Sequence, residues 1–139
     1  MTLYVELVVP EGQVWAGQAD RVVAKTLDGD IGVLTGHSPV LGVLAEGSMV
    51  RILPEDSQPA PGNWVLAAVG GGFLAIADDR VSILARQAEL GEQVDKDAAR
   101  AALQAALQDA ESSGTPRSGV EPAEVRYARA RLQATGEQG

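Results

Sequence analysis

Residues 29–47, Gly-Asp-Ile-Gly-Val-Leu-Thr-Gly-His-Ser-Pro-Val-Leu-Gly-Val-Leu-Ala-Glu-Gly, decide the fold class. Short apolar runs are cut at close intervals by Gly29, Gly32, Gly36, Pro39, Gly42 and Gly47. Glycine reaches positive φ at little cost, and proline fixes φ while removing a hydrogen-bond donor. Runs this short cannot be helices, so the segment reads as brief strands joined by tight turns.

The same texture extends outward in both directions. Leu3, Val5, Leu7 and Val9 alternate with Tyr4, Glu6 and Val8, Val50 and Ile52 flank Arg51, and Val81, Ile83 and Ala85 alternate with Ser82 and Leu84. A period of two marks strands with one buried face. Turn signals stand between them at Pro10-Glu11-Gly12, Asp28-Gly29, Glu46-Gly47, Pro59-Ala60-Pro61-Gly62 and Asp78-Asp79. The reading gives strands near 3–9, 13–16, 21–27, 31–34, 40–44, 48–53, 64–69, 71–77 and 80–85, forming an antiparallel β-sandwich over 1–86.

Beyond Glu89 the period changes. Residues 97–111 are rich in alanine and free of glycine, proline and β-branched side chains, a strong helix signal. Leu103, Leu107 and Ala110 share one face, with Ala99, Ala102 and Ala106 beside it. Ser112 to Gly119 then reads as a loop, and Pro122 opens a second helix whose apolar line is Val125, Ala128 and Leu132. Thr135 to Gly139 is expected to fray. The class is therefore α+β, with a two-helix hairpin over 87–139. Four large apolar side chains cannot offset the ordering entropy of about forty residues, so the hairpin needs a surface to lie on. An element with two comparable docking sites can act as a switch.

Composition narrows the function. The chain has 139 residues, 45% of them hydrophobic, enough for one core with a small appendage. Eleven Lys and Arg against 19 Asp and Glu give a net charge of −8, which disfavours nucleic acid and anionic lipid as non-specific partners. Absence of cysteine excludes disulfides and thiolate metal sites and fits a reducing compartment. No apolar run reaches the roughly 20 residues that span a bilayer, and Met1 to Glu6 lacks the basic start of a signal peptide, so direct membrane insertion is not expected.

Little in the chain resembles catalytic machinery. His37 is the sole histidine, and its neighbour Ser38 is badly placed to be its nucleophile. Gly70-Gly71-Gly72 leads into the strand Phe73 to Ala77 and not into a helix, so it is a hairpin or a close inter-sheet approach and not a phosphate loop. Asp78-Asp79 and Glu55-Asp56 lack calcium-loop spacing and read as solvated turns. Arg126, Arg129 and Arg131 form one basic cluster, either a solvated face balanced by Glu121 and Glu124 or a contact for an acidic surface.

The string Gly32-Val33-Leu34-Thr35-Gly36-His37-Ser38-Pro39 closely resembles the signature of the epsilon subunits of bacterial rotary (F-type) ATP synthases. Gly71 to Leu74 and Val81 to Ala85 resemble the same family, as does the order of a strand-rich domain followed by a helical hairpin. The resemblance implies a flattened ten-stranded sandwich that packs on the gamma subunit. Asp30, Gly32, Gly36, His37 and Pro39 would sit at the contact with gamma and the ring of c subunits. It implies a rotor subunit with no catalytic residue, peripheral on the cytoplasmic face of the bacterial membrane, which couples ring rotation to ATP synthesis.

Through its hairpin the subunit would restrain ATP hydrolysis, with Arg126, Arg129 and Arg131 touching the alpha/beta catalytic head. No cofactor is required, but some relatives bind ATP as a regulatory ligand at a motif Ile/Leu-Asp-x-x-Arg-Ala. One alignment places Val94-Asp95-Lys96-Asp97-Ala98-Ala99 on it, losing the arginine. A shift of two gives Lys96-Asp97-Ala98-Ala99-Arg100-Ala101, which restores Asp97 and Arg100 as the ATP contacts. Arg86 replaces an aspartate common after the last strand in relatives. A free-standing nucleotide-sensing module is the competing reading.

Overall fold

The computed structural model describes residues 2–60, 62–113 and 122–136. Seven strands and two helices follow in order: β1 (Leu3–Val9), β2 (Gly12–Thr26), β3 (Gly29–Val33), β4 (Val40–Pro54), β5 (Val65–Ala77), β6 (Arg80–Ala85), β7 (Ala88–Leu90), α1 (Lys96–Ser113) and α2 (Ala123–Ala134). β1 pairs with both β2 and β6, so the ladder β1–β6–β5–β4–β2 returns to its start. β3 extends it beside β2, and β7 beside β5. Every pairing is antiparallel except β1 with β6. Closure removes free edges from these five strands. The alternating residues of the sequence fill the interior, with Leu3, Val5, Leu7, Val22, Val50, Ile52, Leu74 and Ile83 fully buried.

The expected short strands merge. Segments 13–16 and 21–27 are parts of β2, 40–44 and 48–53 of β4, and 64–69 and 71–77 of β5. Glycines read as strand ends are bends within continuous strands. In β4 the register shifts between Glu46 and Ser48, with Gly47 at φ +63. The buried Ser48 hydroxyl satisfies the bulge by donating to the Ala45 carbonyl at 2.7 Å. In β5 the chain turns at Gly71 and Gly72. β2 and β4 run for 15 residues and β5 for 13, so seven continuous strands stand where the resemblance implies ten. Gly70-Gly71-Gly72 is therefore neither a hairpin nor an inter-sheet approach but a bend inside β5, where a Cβ on Gly72 would lie 2.0 Å from the carbonyl oxygen of Leu84 on the paired strand β6.

β7 lies beyond every strand expected from sequence. It pairs Ala88–Leu90 with β5, and Leu90 enters the sandwich core. A 3-10 turn, Gly91–Gln93, leads to α1, whose first turn is capped by Asp95: its carboxylate accepts from the N–H of Asp97 at 3.0 Å and Ala98 at 3.1 Å. The inward stripe of α1 is Ala99, Leu103, Ala106 and Ala110, whereas Leu107 is 38% exposed. That correction follows from the 3.6-residue period, which puts positions 99, 103, 106 and 110 on one line. Pro122 stands at the N-cap position of α2, and past the helix end the N–H groups of Thr135 and Gly136 donate to the carbonyls of Leu132 and Gln133. Residues 114–121 of the expected loop, including Glu121, and residues 137–139 lie outside the described residues.

α2 is a middle layer. Val125, Ala128 and Leu132 pack on α1, while Ala130 and Ala134 sit on Ala68 of β5, flanked by Met49, Leu66 and Tyr127. The sequence shows only the first of these two faces, because the second is built from alanines. Small side chains let helix and sheet approach closely but bury little area, so the dock is complementary in shape and light in energy.

Gly72→Ala is expected to cost about 3 kcal/mol or more in urea unfolding, because both its φ of +134° and the 2.0 Å clash oppose a side chain. Gly32→Ala, with nothing within 4 Å and no positive φ, is expected to be neutral or to stabilise by about 0.5 kcal/mol. Equal effects of the two changes would contradict the bend.

Candidate docking surfaces

One outer face of the sandwich is apolar where water should find polar groups. Val43 of β4 stands opposite Phe73 of β5, which stands opposite Leu84 of β6, and Leu41 lies two residues along on the same side. Leu27 joins them because its N–H donates to the Val43 carbonyl at 3.0 Å. Exposure is 76% for Leu41, 71% for Leu27, 54% for Phe73, 53% for Leu84 and 45% for Val43. Scattered exposed leucines need no explanation, but a contiguous cross-strand patch marks a surface made to be covered.

The Leu34–Pro39 loop is a built structure. Gly36, at φ +80, donates its N–H to the Asp79 carboxylate at 2.7 Å. Asp79 and Asp78 are both at positive φ in the two-residue turn between β5 and β6. The pair read as a solvated turn therefore also anchors the loop. His37 donates its N–H to the Leu34 carbonyl at 3.2 Å, and its Nδ1 lies 2.7 Å from the Ser38 carbonyl. Leu34 is exposed at its start, and with Gly32, Val22 and Arg21 it lines a shallow groove. Asp30 is not in this loop: it lies near the start of β3, opposite Lys25 of β2.

The hairpin residues separate. Asp97 and Arg100 pair with each other at 3.2 Å on the exposed surface of α1. The Asp95 carboxylate, which the other alignment supplies, is taken by the helix cap. Arg131 donates from Nε to Glu89 at 2.7 Å, tying α2 to β7. Arg126 and Arg129 face a cleft of about 420 Å³ between α2 and the sheet, which Asp30, Lys25, Arg51 and Glu46 also line. Arg86 pairs with Glu46 beside Gly71, joining the end of β6 to β4. The described residues contain no group of three or more His, Asp or Glu that could hold a metal ion, and no described helix is long and apolar enough to cross a membrane.

Two glycines seat α2. A Cβ on Gly47 would lie 2.4 Å from backbone atoms of Arg126 and Tyr127, and one on Gly91 would lie 1.8 Å from the Ala134 carbonyl oxygen. Between them, burial holds the Tyr127 hydroxyl above the ordinary tyrosine value of 10.0; the Glu89 carboxylate adds to the rise and Arg131 opposes it.

Residues 2–91 match the family described as ATP synthase, Delta/Epsilon chain, beta-sandwich domain. Over 133 residues the sequence is 48% identical to the ATP synthase epsilon chain of Thermobifida fusca (strain YX), covering 95% of this chain and 90% of that one. The ATP synthase epsilon chain of Rhodococcus opacus (strain B4) is 42% identical over 120 residues, 86% of this chain and 94% of that one. A chain from the Euglena gracilis mitochondrial ATP synthase, solved as OSCP/F1/c-ring in rotational state 1, superposes with a TM-score of 0.71 at 19% identity. The superposition covers 97% of this chain and 81% of that one, and at that identity it speaks to fold alone.

Gly47→Ala and Gly91→Ala should each speed amide exchange in α2 by about tenfold or more while the sandwich core stays protected. Gly36→Ala, whose Cβ meets nothing within 4 Å, should leave α2 unchanged. Unaltered α2 exchange in both seat variants would remove the glycines from the dock.

The two tyrosines are Tyr4 and Tyr127, so in Tyr4→Phe the tyrosinate absorbance reports Tyr127 alone. Because folding raises its pKa, the stability it contributes is complete below 10.0 and is lost as pH climbs through the folded value. The expected midpoint lies above 10.0, with α2 loosening over the same window; a midpoint at or below 10.0 would refute the buried placement.

Proposed function

The chain belongs to the epsilon-chain family of ATP synthases, and from that premise we propose that it is a non-catalytic subunit of the central stalk, turning with the rotor of a proton-translocating enzyme. The observation that carries this reading is the contiguous apolar face of Leu41, Val43, Phe73, Leu84 and Leu27. A rigid closed sandwich with such a face is suited to permanent packing on another subunit, here gamma. The anchored loop around Gly36, His37 and Pro39 meets the c-subunit ring, where a braced turn transmits torque better than a free one. In this reading the protein sits peripherally at the cytoplasmic face of the membrane and couples ring rotation to synthesis in the head.

The hairpin supplies regulation. Docked through alanines and two glycine seats, it can leave the sandwich at modest cost and extend along gamma toward the alpha/beta head, where Arg126, Arg129 and Arg131 oppose acidic groups and restrain ATP hydrolysis. ATP as a regulatory ligand through Asp97 and Arg100 would have to open their mutual ion pair, a small barrier at an exposed site. A free-standing nucleotide sensor leaves the apolar face without a purpose, so the rotor reading is preferred.

Leu41→Glu with Phe73→Glu places two charges on the outer face and none in the core. The doubly substituted chain should keep its fold by circular dichroism yet lose copurification with gamma; wild-type recovery of the complex would defeat the docking assignment. Truncation after Gln93, which spares Leu90 in the core, should preserve assembly and raise ATPase activity of the assembled enzyme. An unchanged rate would remove the hairpin from inhibition.

A further inference from the structure

The turn between β5 and β6 is built against the preference of its own backbone. Asp78 and Asp79 both stand in the left-handed region, at φ +52° and +58°. A two-residue turn of this kind favours glycine at its second central position, because any side chain there adds strain. An aspartate at position 79 therefore calls for a compensating contact. Its carboxylate supplies one by accepting from the N–H of Gly36 at 2.7 Å, across 43 residues of sequence. A charged acceptor makes such a bond stronger than a neutral one would.

The Leu34–Pro39 loop needs such a tether. Its ends run into β3 and β4, and β3 pairs with β2 alone. Among the described residues its other hydrogen bonds, from the His37 N–H to Leu34 and between His37 Nδ1 and Ser38, stay inside the loop. A segment held only at its two ends can rock about the line joining them, and Gly36 at φ +80 supplies soft backbone at the tip. A third attachment at the tip removes that motion. Asp79 is itself fixed, since its carbonyl accepts from the Tyr4 N–H at 2.9 Å. Arg80, next in the chain, pairs with Glu6 at 3.0 Å and lies 5.0 Å from the centroid of the Tyr4 ring. β6, which starts there, is hydrogen-bonded to β1 on one side and β5 on the other. Leu84 of the outer apolar face lies further along that strand, about 17 Å from Asp79 at the usual rise per residue.

We propose that Asp79 is a positioning residue for coupling. Its carboxylate holds the tip of the Leu34–Pro39 loop against β6, so that force received at Gly36 and His37 enters a doubly paired strand and reaches the face around Leu84. The proposal rests on the central-stalk reading, which supplies the ring at one end of this route and gamma at the other. It also accounts for a residue other than glycine in a strained turn.

Asp79→Gly is the test, because glycine suits the turn and keeps the carbonyl that Tyr4 uses while deleting the carboxylate. In the isolated full chain, amide exchange at Gly36 should quicken by about tenfold or more, with β5 and β6 still protected. Asp79→Asn, which retains an acceptor oxygen and tolerates left-handed backbone, should stay within about twofold of wild type. Inverted membrane vesicles depleted of this subunit are then rebuilt with each chain. Protons pumped per ATP hydrolysed should fall about twofold or more in Asp79→Gly and recover in Asp79→Asn, with the ATPase rate itself kept. Asp78→Gly, a change in the same turn that spares the Gly36 bond, should leave the ratio unaltered. Unchanged Gly36 exchange or unchanged pumping in Asp79→Gly overturns the proposal. So does equal loss in Asp79→Asn, which assigns the effect to charge, or in Asp78→Gly, which assigns it to the turn. If the wild-type chain restores no pumping, the central-stalk reading falls and takes the proposal with it.

Discussion

With any side chain at position 47, strand β4 and helix α2 could not both be where they are. Gly47 bends the strand at φ +63 and leaves bare backbone against which Arg126 and Tyr127 rest. Gly72 plays the matching part in β5, where its missing Cβ admits the Leu84 carbonyl. These bends lie inside continuous strands of 15 and 13 residues, in a ladder that closes on itself through β1. The core and the helix seat both follow from backbone that carries nothing.

The outcome is a body of two different strengths. The sandwich interior is packed with leucine, isoleucine and valine around a closed hydrogen-bonded circuit. The helical layer is held by alanine on alanine, two glycine seats and the Arg131–Glu89 pair. The buried side chains of the second interface are smaller than those of the first, and burial of small side chains contributes less free energy. A part that must stay rigid and a part that can relocate are thereby separated by composition within one chain.

Charge distribution follows the same division. The apolar face lies on the layer of β4, β5 and β6, and the basic cleft lies where α2 overhangs β2, β3 and β4. The three arginines of α2 do not act as one patch while the helix is docked. Arg131 is bound to Glu89, and Arg126 and Arg129 turn into the cleft. Their availability to any acidic surface outside therefore depends on whether the helix stays seated.

Alternation from Leu3 to Val9 and from Val81 to Ala85, and the alanine-rich run after Lys96, were enough to determine the α+β class, the inward residues and the two helices, because periodicity is a local property. The outer apolar face was hidden, since Val43, Phe73 and Leu84 become neighbours only through register across three strands. Continuity of β2, β4 and β5 was hidden for a related reason: a glycine at a bend and a glycine at a turn look alike until the partner strand is known. The second face of α2 was silent because alanine signals helix without declaring what it touches. Tertiary structure alone brought Asp79 to Gly36 and Arg126 to Gly47, contacts set by packing between segments that no local pattern relates.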